Sequence, residues 1–243
     1  ERYANQTDED YNEVLKLCCI IKPMISWHAE NTATTCRERC GGQGFLSANR
    51  FGEAIFGSHA GITAEGDNRV IQQKVAKELL DEVCKKKVLK NILIRKLPNK
   101  IKYFIYRVNN TGSYLNREWF LNLFRLREEI LLSELAYKMN KSKKNIFNTW
   151  MYKESDLIQE TAKAYGDRLA IEEFFKTINN LDEQNDELLI ILNELYFVYV
   201  LSEVKNNIGF FMGENIITSN QYKVIKDLLN HYNSNISYDS DEL

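Results

Sequence analysis

The chain has 243 residues, 44% of them hydrophobic and 27% charged, with a formal net charge of -2. That balance gives no overall charge to recruit nucleic acid or a membrane surface, and no apolar run reaches the roughly eighteen residues of a membrane span. Two prolines and eleven glycines leave long uninterrupted stretches, which predicts an all-α bundle, as one large domain or two small ones.

Asp8, Glu9 and Asp10 place negative charge at a helix start, and Tyr11, Val14, Leu15, Cys18 and Ile21 follow at helical spacing. Pro23 is expected to interrupt or kink this helix, because it lacks an amide to bond the preceding turn. The pattern resumes through Ile25, Ala29, Ala33, Cys36 and Cys40 and runs into Gly41, Gly42 and Gly44. Trp27 and His28 on this stretch read either as ordinary packing or as a substrate-facing pair. From Arg50 to Thr63 there is no clean period, and Gly52, Gly57 and Gly61 punctuate it, so a structured loop is predicted. His59 lies six residues before Glu65; it faces a site there, or is hydrogen-bonded locally.

Glu65-Gly66-Asp67-Asn68 precedes a helix that Val70, Ile71, Val75, Leu79 and Leu80 carry to about Lys87, with Asp67 and Asn68 placed to cap it. Lys85, Lys86, Lys87 and Lys90 complement the helix dipole at its end, as a solvated cluster or as a phosphate site. Residues 91 to 116 alternate weakly around Pro98 and the turn Asn109-Asn110-Thr111-Gly112, which suits a short hairpin or a linker. The predicted organisation is therefore a first helical region over 1–92, a linker over 93–116 and a second all-α region over 117–243.

In that second region Phe120, Leu123, Phe124, Arg127, Leu131 and Leu135 mark one amphipathic helix. Leu157 through Ile178 mark another. Leu188 to Val204 is apolar nearly all round, the pattern of a helix in the middle of a bundle. Val224, Ile225, Leu228 and Leu229 form a last helix before a polar tail.

Five cysteines, at 18, 19, 36, 40 and 84, make an odd count that favours a reducing compartment over a disulfide framework. Cys36 and Cys40 share a helix face, but no histidine or further cysteine stands at a metal-ligand spacing. Packed free thiols are therefore expected, and no metal.

The chemistry is expected between Thr35 and Leu80. Glycines without a Cβ let backbone amides approach a ligand, and a carboxylate at the mouth of a helix is a candidate base. Taken singly, G-G-x-G also reads as a helix end followed by a turn, and Glu65 as a dipole partner. Taken together, C-R-E-R-C-G-G-Q-G-F over Cys36 to Phe45 and T-A-E-G-D-N-R-V over Thr63 to Val70 resemble the flavin-dependent acyl-CoA oxidases, relatives of the acyl-CoA dehydrogenases. The resemblance is sharp over residues 35–80 and amounts downstream only to more helix.

The resemblance implies the α-helical C-terminal half of such an enzyme, with FAD as cofactor, acyl-CoA and oxygen as substrates and a homodimer as the assembly. It makes Glu65 the base that removes the α-proton of the acyl thioester, and the Glu65 backbone amide a hydrogen-bond donor to the thioester carbonyl, with Gly66 beside it. It places Gly41, Gly42 and Gly44 by a FAD bound mainly to the neighbouring subunit, and brings Asp67 and Asn68 toward the cofactor. Glu38 stands where dehydrogenases often carry a FAD-contacting glutamine, and Asp67 where they tend to have threonine; both departures point to the oxidase branch. A dehydrogenase passing electrons to a flavoprotein acceptor is the alternative, as is a non-catalytic helical dimerisation module. Because the family's earlier domains supply most flavin and acyl-CoA contacts and position 1 is Glu, the chain is expected to be a C-terminal piece, inactive alone. Family precedent implies a peroxisomal home. The ending Ser240-Asp241-Glu242-Leu243 lacks the S-K-L signal and resembles K-D-E-L, whose compartment would be the endoplasmic reticulum.

Overall fold

The computed structural model describes residues 8–85, 116–142, 145–181 and 186–241, and no strand occurs among them. Helix α1 spans Asp8–Arg39 and is followed by two 3-10 turns, Gly41–Phe45 and Ser47–Asn49. Helix α2 spans Phe51–Thr63 and α3 Asn68–Lys85. After residue 116 come α4, Arg117–Lys141, a short turn Ile146–Asn148 that passes into a π-helical turn Thr149–Lys153, and α5, Ser155–Asn180. Helices α6, Asp186–Asn206, α7, Ile208–Gly213, and α8, Ser219–Asp241, complete the chain.

The fold is all-α, as the composition requires, and falls into two compact units whose division lies inside α4 and α5. One unit contains the described residues 8–85 and those between 131 and 166; the other contains 116–130, 167–181 and 186–241. The linker or hairpin expected over 93–116 lies outside the described residues apart from Asn116, as do the side chains of the lysine cluster at 85–90 and of Cys84.

In the first unit, α1, α2 and α3 pack together. Helix α1 continues through Pro23, so of the expected interruption or kink the interruption does not occur. Lys16, Ile20 and Pro23 form its buried face, so the proline ring is itself packed and offsets part of the lost backbone bond. Where α5 crosses α1, Gly166 has no room for a side chain: a Cβ there would stand 2.7 Å from Ile20 Cγ1 and 2.7 Å from Met24 Sδ. On α3, Asn68, Gln72, Val75, Ala76 and Leu79 recur at helical spacing and are buried. Lys16 pairs with Glu82 across to α1, and Trp150 Nε1 donates to Gln73 Oε1 at 3.0 Å.

Residues 51–63 are helix rather than loop. The stripe that faces α1 consists of Phe51, Ile55, Ser58 and Ile62 with Gly61, and small polar and glycine positions dilute its periodicity. None of its residues is fully buried, so the hydrophobic pattern that announces other helices is absent here.

The second unit is built on aromatics. Phe120 and Phe124 of α4, Tyr196 and Phe197 of α6, Phe211 of α7 and Ile225 of α8 belong to one buried cluster. Phe124 meets Phe211 edge-on with centroids 5.7 Å apart, and Phe197 stacks on Tyr232 at 5.1 Å, geometries that the ring quadrupole favours. Only the C-terminal half of α6 is enclosed, through Tyr196, Val200, Leu201 and Val204; Leu188, Ile190, Ile191 and Leu195 at its start are exposed. The place in the middle of a bundle expected for this helix therefore suits its second half, which is buried along one face, and not its first. The tail expected after the last helix is helical as far as Asp241, and α7 has no counterpart in the sequence reading because six residues are too few to show a period.

Candidate active site

Between α2 and α3 the chain turns through Ala64, Glu65, Gly66 and Asp67, and one cation organises the turn. Lys22 Nζ, projecting from α1, donates to the Ile62 carbonyl at 3.0 Å, to the Gly66 carbonyl at 2.7 Å and to Asn68 Oδ1 at 2.7 Å. An ammonium has three donors, and all three are used. Asn68 Nδ2 donates to Ser26 Oγ at 2.9 Å, and Ser26 Oγ donates to the Lys22 carbonyl at 2.8 Å. Lys22, Asn68 and Ser26 thus close a ring of hydrogen bonds, and Asn68 within it is fully buried.

Glu65 has φ +59° and Gly66 φ +108°. Glycine takes such a value freely, but a glutamate in the left-handed region costs about 1–2 kcal/mol, so the surrounding bonds must hold it there. The Glu65 carboxylate is exposed, with no hydrogen bond or ion pair among the described residues, and its backbone N–H makes no backbone bond among them either. Asp67 caps α3: its Oδ1 accepts from the Arg69 and Val70 amides at 2.9 and 3.3 Å. Of the two expected caps, only Asp67 does this. The Asn68 amide group is committed to Lys22 and Ser26.

The glycine turn follows the end of α1. Gly41 has φ +57°, and Gly41 and Gly42 are open, with nothing within 4 Å of a Cβ built on either. Gly44 is the opposite case: it is buried, and a Cβ on it would lie 2.2 Å from the Arg37 carbonyl oxygen. Gly44 is therefore required for the chain to fold back on α1, whatever else it does. Phe45 and Leu46 beside the turn are exposed. The thirteen-residue helix α2, about 20 Å long at 1.5 Å per residue, separates this turn from Glu65. The two features stand at opposite ends of α2 and do not form one loop.

His59 Nε2 lies 3.6 Å from Glu30 Oε1, across the contact between α2 and α1. His28 is exposed, with Nε2 3.5 Å from Thr32 Oγ1, and Trp27 is half-buried. Cys36 and Cys40 are free but exposed rather than packed, and Cys18 is exposed as well. Burial, reinforced by the neighbouring Cys18, pushes the Cys19 thiol above its ordinary value. No group of three metal-ligating side chains occurs among the described residues. The residues that sequence reasoning missed are Lys22 and Ser26. Their only signal is a polar pair four apart on α1.

A family model described as the acyl-CoA oxidase C-alpha1 domain matches residues 1–80, and a model described as acyl-CoA oxidase matches residues 116–239, just over half of the chain. The chain belongs to the acyl-CoA oxidase family. Relatives include the acyl-coenzyme A oxidase-like protein of Mus musculus, 24% identical over 86% of this chain and 34% of that protein. The peroxisomal acyl-coenzyme A oxidase 2 of Arabidopsis thaliana is 23% identical over 89% of this chain and 32% of its own length. The chain thus spans about a third of the relatives it matches. Among solved acyl-CoA oxidase structures, acyl-CoA oxidase 1 of Arabidopsis thaliana superposes with TM-score 0.78 at 20% identity, over 94% of this chain and 35% of that one. Acyl-CoA oxidase-1 of Caenorhabditis elegans, crystallised with FAD and ATP, superposes with TM-score 0.79 at 17% identity, over 96% and 35%. These superpositions establish that the acyl-CoA oxidase family member described here has the fold of that enzyme's helical C-terminal portion.

Proposed function

We propose that the protein containing this chain is an acyl-CoA oxidase that converts acyl-CoA and oxygen into trans-2-enoyl-CoA and hydrogen peroxide, with Glu65 as its base. The observation that carries the proposal is an exposed, unpaired carboxylate held in a left-handed conformation at the head of α3. What sets this glutamate apart is its left-handed backbone, which a non-glycine residue adopts at a cost, while its neighbours are tied down. Glu65 accepts the α-proton of the thioester. The unpaired Glu65 amide donates to the thioester carbonyl and stabilises the negative charge that develops there.

The residues of the glycine turn fit a flavin dinucleotide. Gly41 and Gly42 leave backbone that a flat or phosphorylated group can approach without meeting a Cβ, and the exposed Phe45 and Leu46 offer apolar surface beside it. FAD, when bound, supplies the redox chemistry, taking the substrate's hydride equivalent and returning the electron pair to oxygen. On this reading Gly41, Gly42 and Asp67 contact the cofactor, while Gly44 and Asn68 hold those contacts in place. The length of α2 between Glu65 and the glycine turn fits an assembly in which one subunit's turn meets a flavin held mainly by another, and hence a homodimer. Peroxisomal naming among the relatives, including acyl-coenzyme A oxidase 3 of Homo sapiens, supports a peroxisomal location.

The test uses the longest natural polypeptide that contains the chain, purified and mixed with acyl-CoA in air. Bleaching of the flavin band, its return and stoichiometric peroxide are expected, and Glu65→Gln should abolish all three with flavin still bound. Bleaching without peroxide would make the protein a dehydrogenase, and absence of flavin would leave a non-catalytic helical module.

A further inference from the structure

We infer that Lys22 is a positioning residue for Glu65, holding the base in its left-handed conformation; the inference rests on Glu65 being the base. The three acceptors of Lys22 Nζ belong to residues 62, 66 and 68, which bracket position 65 on both sides. Each does something different. The Ile62 carbonyl lies in the last turn of α2, whose terminal carbonyls have no intrahelical partner, so the cation satisfies one of them and complements the helix dipole. The Gly66 carbonyl belongs to the residue directly after Glu65, and fixing it sets the plane of the following peptide. Asn68 begins α3, and its ring of bonds with Ser26 and Lys22 locks the start of that helix to α1.

Among the described residues no backbone bond holds Glu65 itself, so its position is determined by these flanking contacts. A catalytic carboxylate must meet an α-proton within hydrogen-bond reach, and a displacement of about 1 Å is enough to lower the rate about a hundredfold. Lys22 is suited to this by the tetrahedral spread of its donors, which serve acceptors on two helix ends and a turn; the planar fork of arginine serves parallel acceptors instead.

The experiment compares Lys22→Met, Lys22→Arg, Ser26→Ala and Glu65→Gln in the longest natural polypeptide containing the chain. Amide hydrogen exchange at Ala64 and at residues 69–71, whose amides bond to the Ala60 carbonyl and to Asp67, should rise about tenfold in Lys22→Met, while α1 around 27–35 and α3 around 72–83 keep their protection. With acyl-CoA, kcat should fall about a hundredfold with KM within about threefold, and the isotope effect from deuterium at the α-carbon should grow. Lys22→Arg should restore protection and rate only in part. Ser26→Ala should move both in the same direction by less, and decides the matter if Lys22→Met fails to fold. Unchanged kcat, or exchange that rises evenly over α1, α2 and α3, overturns the positioning role while an inactive Glu65→Gln leaves the base assignment standing. An active Glu65→Gln overturns the base assignment and this role with it, even if exchange at Ala64 and residues 69–71 still depends on Lys22.

Discussion

Arg127 donates a 2.8 Å hydrogen bond to Asp167, and both side chains are only 4% exposed. The guanidinium also lies over the Phe210 ring, 5.9 Å from its centroid. A buried pair of this kind stabilises little relative to packed apolar groups, but removing one partner strands the other charge away from water. Arg127→Met should therefore destabilise the fold by about 3–5 kcal/mol, and the double variant Arg127→Met with Asp167→Leu should recover most of that loss. Urea unfolding of the single and double variants checks the order.

The two ends of the glycine turn should respond oppositely to a methyl group. Gly44→Ala forces a Cβ onto the Arg37 carbonyl and should cost about 1–3 kcal/mol as overpacking. Gly42→Ala meets nothing and should change stability by less than about 0.5 kcal/mol. Thermal unfolding separates them. If the turn approaches a flavin, Gly42→Ala should nevertheless lower flavin content.

Adjacent polar residues at the start of α3 should differ as well. Asp67→Ala removes an exposed cap and should cost about 1 kcal/mol. Asn68→Leu takes an acceptor from the Lys22 ammonium and a donor from Ser26, and should cost about 2 kcal/mol or more. A denaturant series on the two variants measures the difference.

Acid should loosen the second unit through Glu172. Burial alone would push this carboxyl up, but hydrogen bonds and charge from Arg168, with Arg125 adding, outweigh it and hold it below its ordinary value of 4.5. Because the folded value is the lower one, the stabilisation is complete above the ordinary value and disappears as pH falls through the folded one. The melting temperature should drop on acidification below about pH 4.5, and Glu172→Gln should flatten that drop. A Glu172→Gln melting curve with an unchanged acid limb would remove Glu172 from the account.

Much of the fold follows from local composition. Scarce proline and the repeating apolar positions of α1, α3, α4 and α5 require long amphipathic helices wherever one face can be buried. The site motifs are equally local, since Gly66 and Asp67 do their work within the turn they sit in. What pairwise sequence distance cannot show is which surface each helix meets. Helix α2 hides its period because it packs through Ser58 and Gly61 rather than through large side chains, and the first half of α6 is apolar yet exposed. Lys22 was invisible for the same reason. An ammonium on α1 acquires its role only when packing brings Ile62, Gly66 and Asn68, more than forty residues away on average, to the three directions in which it can donate.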